Sequence, residues 1–123
     1  MGGYKERAKA LANGVLEPVV AATDDFAYAR VALGRARSDI GQHDEAIAQF
    51  KRAQELDAKS FEAFYWEGRL HSDRNRHAQA IRALQKATEV AIGNEGTYLH
   101  DAYRRLGAAH KAAGNSAGAT AAW

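Results

Sequence analysis

The pattern of apolar and polar positions predicts a chain of helices separated by short polar turns. In the segment Phe61 to Arg74, apolar residues form a stripe at helical spacing and polar residues occupy the opposite side. Stretches such as Gly41-Gln42-His43 and Gly93-Asn94-Glu95-Gly96 interrupt the pattern and indicate turns. We therefore expect an all-α chain. The helices predicted after the first 25 residues are Phe26 to Ile40, the segment from Asp44 (as N-cap) to Leu56, Phe61 to Arg74, His77 to about Ile92, Tyr98 to Ala113, and a sixth that begins at Ala117.

This helical pattern repeats along the chain. When the stretch from Ala27 to Ser60 is compared with the residues 34 positions later, ten positions carry the same residue in both copies. In the first copy these residues are Ala29, Gly34, Arg35, Ser38, Asp39, His43, Ala46, Ile47, Ala53 and Glu55. A fixed period of this size is typical of stacked repeats, in which each unit buries its apolar side against the next unit. The sequence therefore predicts a short solenoid of two-helix units.

The residues at matching places resemble the tetratricopeptide repeat. The first unit carries Leu33-Gly34, Gly41, Ala46, Phe50 and Ala53, the second carries Phe64, Gly68, Ala80, Leu84 and Ala87, and the third carries Tyr103, Leu106-Gly107, Gly114, Ala119 and Trp123. The resemblance implies a right-handed superhelical solenoid of antiparallel helix–turn–helix repeats. Small residues such as Gly34 and Ala46 let the two helices of a unit approach closely, and Phe50 fills the gap toward the next unit. Glu67 departs from the family pattern, which has leucine there.

The repeat pattern also predicts how the chain is divided. The predicted segments are an N-terminal capping helical segment (1–25), a first repeat (26–60), a second repeat with an extended loop (61–99) and a truncated third repeat (100–123). For the capping segment two arrangements stay open: two short helices separated at Asn13-Gly14, or one helix kinked at Pro18. The short sixth helix predicts that the chain is a piece of a longer repeat array.

Members of the family that the chain resembles generally bind a peptide along the concave face lined by the first helix of each unit. Helical periodicity then gives the candidate groove residues as Tyr28, Val31, Arg35, Asp39, Glu62, Tyr65, Arg69, Ser72, Asp73, Arg104 and Lys111. Arginine and tyrosine often supply binding energy at interfaces, and arginine can bind a carboxylate through two parallel hydrogen bonds. The alternative interpretation is structural, because Arg35 and Asp39, like Arg69 and Asp73, are four residues apart and could form surface ion pairs. Trp66 is expected to pack between units.

One subclass of the family clamps the terminal carboxylate of chaperone tails with lysine, asparagine and arginine. The corresponding positions in this chain are Val31, Arg35, Trp66, Asp101 and Arg105. Only Arg105 has the residue type that the clamp requires. The resemblance therefore does not predict a chaperone-tail adaptor.

Candidate chemistry adds nothing to this picture. The chain has five histidines and no cysteine, and no histidine pair shows the spacing with acidic support that a helical zinc site requires. Gly93 and Gly96 follow a predicted helix rather than a strand, so they do not form a phosphate-binding loop. We expect no enzymatic activity, no metal and no cofactor.

Charge and composition narrow the partner class. Seventeen Lys and Arg residues against fifteen Asp and Glu residues leave a net charge of only +2. This balance does not favour nucleic acid as a partner. The arginines Arg35, Arg69 and Arg104 keep that alternative open. No apolar run is long enough for a membrane span. We expect a protein or peptide partner, with self-assembly by end-to-end stacking at Trp123 as the alternative. The alanine- and arginine-rich composition suggests a bacterial source, and it fits the cytoplasm and the periplasm alike.

Overall fold

A computed structural model describes residues 27–114 of the chain. This part consists of the five helices α1 (Ala27–Asp39), α2 (His43–Leu56), α3 (Phe61–Asp73), α4 (His77–Val90) and α5 (Thr97–Ala113). No strand occurs in this range, and the predicted all-α repeat fold is confirmed. The predicted capping segment and the predicted sixth helix lie outside the described residues.

The packing of the helices gives the chain an inner and an outer side. Helix α1 packs against α2, and α3 packs against α4, as two helical hairpins. Among the first helices of successive units, α1 also contacts α3, and α3 contacts α5. The second helices α2 and α4 are not neighbours within the described range. The first helices therefore line the concave side, and the second helices form the outer side.

The two turns within the hairpins have the same backbone geometry. Gly41 and Asn75 occupy equivalent positions and have positive φ angles of 86° and 59°. The next residue in each turn donates its backbone N–H to the carbonyl five residues earlier. These bonds run from Gln42 to Arg37 at 2.9 Å and from Arg76 to His71 at 2.8 Å. Glycine and asparagine are the residues that most readily adopt this left-handed conformation. The repeat thus extends to the backbone of the turns.

Two helix boundaries differ from the prediction by two residues, and the others by no more than one. Asp44, predicted as the N-cap of α2, lies within the first turn of that helix instead. Helix α4 ends at Val90, two residues earlier than expected. The carboxylate of Glu95 accepts hydrogen bonds from the backbone N–H groups of Ile92 (2.8 Å) and Gly93 (2.9 Å), which supports a compact loop there in place of another helical turn.

Glycines in the first helices allow each hairpin to close tightly. A Cβ atom added at Gly34 would lie 2.6 Å from Cε1 of Phe50, and one added at Gly68 would lie 2.6 Å from Cγ of Leu84. The predicted close approach is therefore present in both hairpins. A Cβ atom at Gly107 would meet nothing within 4 Å, and the predicted partner helix of α5 lies outside the described residues.

Glu67 is a buried carboxylate on α3 and shows how the family pattern is altered here. Its side chain accepts hydrogen bonds from Gln54 (2.6 Å) and from Nε2 of His71 (3.1 Å), and Nζ of Lys51 lies 3.4 Å away. Burial alone would raise the pKa of Glu67, but these partners lower it below the usual value. A polar cluster thus connects α2 with α3 where an apolar contact was expected.

Candidate functional site

Two clefts adjoin each other on the concave side. The Trp66 cleft, between α1 and α3, has a volume of about 360 Å³ and is lined by Arg35, Ser38, Asp39, Phe50, Trp66, Arg69, Leu70, Asp73 and Tyr98. The Tyr98 cleft, between α3 and α5, has a volume of about 410 Å³ and is lined by Tyr65, Arg69, Thr97, Tyr98, His100, Asp101 and Arg104. Arg69 and Tyr98 line both clefts. The concave face therefore carries one groove that passes across all three first helices.

The indole of Trp66 is the centre of the first cleft. The guanidinium carbon of Arg35 lies over the ring at 4.0 Å from its centroid, and that of Arg69 lies at 5.0 Å. An aromatic face attracts a cation, and tryptophan and arginine form the strongest version of this contact. The indole also packs against apolar residues of both neighbouring core clusters, so it is fixed from beneath. Because Arg35 belongs to α1, its contact with Trp66 also connects two successive units.

The local ion pairs that the spacing allowed do not form. Within residues 27–114, Arg35 makes no ion pair with Asp39, and Arg69 makes none with Asp73. Both arginines turn to the indole, while Asp73 forms an ion pair with Arg105 of α5 at 2.7 Å. The structural interpretation of the two spaced pairs is therefore wrong, because Trp66 and Arg105 take the place of the expected partners.

Tyr65 lies beneath the groove rather than on its surface. The side chain is only 1% exposed, and its ring stacks on Phe61 at 5.5 Å and contacts Tyr98 at 5.3 Å. Its hydroxyl donates to Oδ2 of Asp101 at 2.5 Å and accepts from Nη1 of Arg69 at 3.2 Å. Burial and the Asp101 hydrogen bond raise the pKa of Tyr65 to about 12. Tyr65 is therefore not the exposed aromatic platform that the pattern predicts.

Asp101 collects hydrogen bonds from both walls of the Tyr98 cleft. Besides the hydroxyl of Tyr65, it accepts from Nη2 of Arg104 at 2.6 Å and from Nε of Arg105 at 2.7 Å. Burial opposes ionisation, but these donors lower the pKa of Asp101 to about 2. The carboxylate is therefore charged at neutral pH and fixes the position of α5 against α3.

Arg105 completes this bridge from the opposite end. Its Nη1 donates to Asp73 at 2.7 Å and to Oγ of Ser72 at 3.3 Å. Ser72 and Asp73 were predicted to face the groove, but here they hold two units together. Arg105 is also the single residue that matches the carboxylate clamp. Its hydrogen bonds to Ser72 and Asp73 of α3 show that it holds α5 against α3.

The remaining candidates lie apart from the groove. Tyr28 is 73% exposed and, with Glu62, lines a third cleft beside the loops that connect the units. Val31 belongs to the apolar core together with Phe50, so the prediction that it faces the groove is wrong. A residue of α1 can be buried on this side because α3 packs against it. Lys111 is exposed near the end of α5 and lines neither the Trp66 cleft nor the Tyr98 cleft.

Sequence reasoning missed two aromatic residues of the groove. Trp66 packs between units as predicted, but it also lines the Trp66 cleft. Its place at a position of the carboxylate clamp could have indicated that it faces the groove. Tyr98 is 44% exposed in the first turn of α5. It directly follows the extended loop, where the 34-residue register no longer applies, so the repeat pattern gave no signal for it.

Two features are absent from residues 27–114. No three His, Asp or Glu side chains are grouped there in a way that could hold a metal ion. In the same range, no helix combines the length and the apolar character that crossing a bilayer requires.

A family model for the tetratricopeptide repeat matches residues 8–61 and 31–95, which together make up more than half of the chain. The chain belongs to the tetratricopeptide repeat family. Over 58 residues it is 40% identical to the small glutamine-rich tetratricopeptide repeat-containing protein 2 of Mycosarcoma maydis. That stretch covers 47% of this chain and 16% of the relative. Tetratricopeptide repeats generally mediate protein–protein interaction and are typically non-catalytic scaffolds.

Proposed function

We propose that this tetratricopeptide repeat chain is a scaffold that binds a peptide segment of a partner protein along its concave groove. The observation that carries the proposal is the continuity of the Trp66 and Tyr98 clefts across α1, α3 and α5. Partly exposed aromatic rings lie next to arginines throughout this groove, and these are the side chains that most often dominate binding energy.

Two ionisable groups of the groove, Tyr65 and Asp101, are suited to holding its shape. A general acid or base works best when its pKa lies near the working pH. The pKa of Tyr65 is raised to about 12 and that of Asp101 is lowered to about 2, so both groups keep one protonation state around neutrality. Their hydrogen bond fixes the shape of the groove, which is what a binding surface requires.

A displayed random-peptide library tests the proposal. Peptides selected on the wild-type chain are measured again with the double variant Arg69→Ala/Tyr98→Ala, which removes the two residues that line both clefts. The control is Gln79→Ala/Arg82→Ala, two exposed residues of the outer helix α4. We expect the groove variant alone to lose binding while circular dichroism stays unchanged. Undiminished binding by a folded groove variant would refute the groove assignment.

Self-association by end-to-end stacking stays a prediction. The residue on which it depends, Trp123, lies outside the described residues. Sedimentation at several concentrations tests it, because a chain that stays monomeric does not stack in this way.

A further inference from the structure

The two arginines of the Trp66 cleft are held in place without a carboxylate partner. A guanidinium is planar, so contact through its face leaves the N–H groups at its edges available for hydrogen bonds. Among residues 27–114, the single hydrogen bond from these two side chains is the one from Arg69 to the hydroxyl of Tyr65, at 3.2 Å. Both guanidinium carbons lie within 5.0 Å of the same indole centroid. The cleft therefore presents two neighbouring positive charges with free donors.

Neither acidic residue of the cleft forms an ion pair with these arginines within residues 27–114. Asp73 is bound to Arg105 at 2.7 Å. Asp39 is exposed and forms no ion pair with another residue of the described range. An anion bound in the cleft would be attracted by both positive charges. A carboxylate would also gain charge-assisted hydrogen bonds, which are stronger than neutral ones.

We propose that the Trp66 cleft selects peptides with a glutamate or aspartate side chain at one internal position, which Arg35 and Arg69 bind. The inference rests on the proposed function, since it names the chemistry of the peptide that the groove accepts. An internal side chain fits better than a terminal carboxylate because the cleft opens into the Tyr98 cleft. A bound peptide can therefore continue along the groove in place of ending at the arginines.

The peptides selected from the random library provide the test, once they are synthesised with amidated C-termini. We expect one position enriched in Glu or Asp, and replacement of that residue by Gln or Asn should weaken binding roughly tenfold in isothermal titration calorimetry. Arg35→Gln and Arg69→Gln should weaken binding of the acidic peptide by a similar factor and hardly change binding of its amide counterpart. Arg69→Lys keeps the charge but loses the planar fork, so it should also weaken binding.

Two matched controls separate local from general charge effects. Asp39→Asn makes the cleft more positive and should tighten binding of the acidic peptide. Arg82→Gln removes the same charge from the outer helix α4 and should leave binding unchanged. Thermal melts of every variant establish that the fold is intact.

The outcomes distinguish this inference from the proposed function. Peptides that need Tyr98 but show no acidic position, or that bind equally well after the change to amide, overturn the inference and leave the proposed function standing. Peptides that bind only with a free C-terminus overturn it in favour of a terminal carboxylate. A library that yields no binder overturns both.

Discussion

Gly68→Ala tests the close approach of α3 and α4 directly. The new Cβ would lie 2.6 Å from Cγ and 2.7 Å from Cδ2 of the buried side chain of Leu84, and 3.1 Å from the backbone nitrogen of Leu84. Because a backbone atom is among these contacts, a rotamer change in Leu84 cannot relieve them all, and the two helices must separate. Alanine gains about 1 kcal/mol of helix propensity over glycine, whereas overpacking a core costs about 1–3 kcal/mol. These two terms leave a net loss of up to about 2 kcal/mol in the free energy of unfolding.

Urea unfolding followed by circular dichroism measures this change, and Gly107→Ala is its control. Since no atom of residues 27–114 lies within 4 Å of a Cβ at Gly107, that variant should be stabilised by about 0.5–1 kcal/mol. Leu84→Ala alone should cost about 2–5 kcal/mol. Combined with Gly68→Ala it should cost less than the two losses added together, because the smaller side chain removes the overlap. If Gly68→Ala stabilises the chain as Gly107→Ala does, the reasoning about helix approach is wrong.

Three further predictions concern the turns, the buried carboxylate and acid stability. Gly41→Ala forces alanine to a φ of 86° and should lower the free energy of unfolding by about 1–2 kcal/mol. Asn75→Gly should not lower it, because glycine adopts a positive φ readily. Thermal melts measure both changes. Glu67→Gln should cost about 1–3 kcal/mol in urea titrations because the buried partners of the carboxylate lose its charge. The pKa of Asp101 is lowered to about 2, so its stabilising contribution is complete above its unfolded pKa of roughly 3.9 and is lost as the pH falls through about 2. Asp101→Asn should therefore flatten the fall of the urea midpoint over this acidic range.

The sequence was sufficient to predict the helices and their register because the repeat encodes both locally. Gly34 and Gly68 recur at one spacing, and both permit a close contact with a large residue of the second helix. The turn positions Gly41 and Asn75 differ in residue type but share a left-handed backbone. These features depend on neighbours within one repeat unit, so a pattern along the chain can reveal them.

The groove was predicted less well because its contacts join residues distant in sequence. Helical periodicity assigns one buried side to a helix, but α3 contacts α1, α2, α4 and α5. Tyr65 is therefore buried although it lies opposite the apolar stripe. The spacing of Arg69 and Asp73 favoured a local ion pair, yet Trp66 attracts the arginine and Arg105 binds the aspartate. Arg105 lies on α5, so the local sequence around Asp73 cannot identify it as the partner.

The joints between successive inner helices respond to different physical conditions. Between α3 and α5, the connection includes the ion pair of Arg105 with Asp73, whose side chain is 56% exposed. Between α1 and α3, it includes the stacking of Arg35 on the indole of Trp66. Dissolved salt screens exposed charges. Rising ionic strength should therefore loosen the α3–α5 joint first, so that the groove widens at the Tyr98 end while the Trp66 end keeps its width.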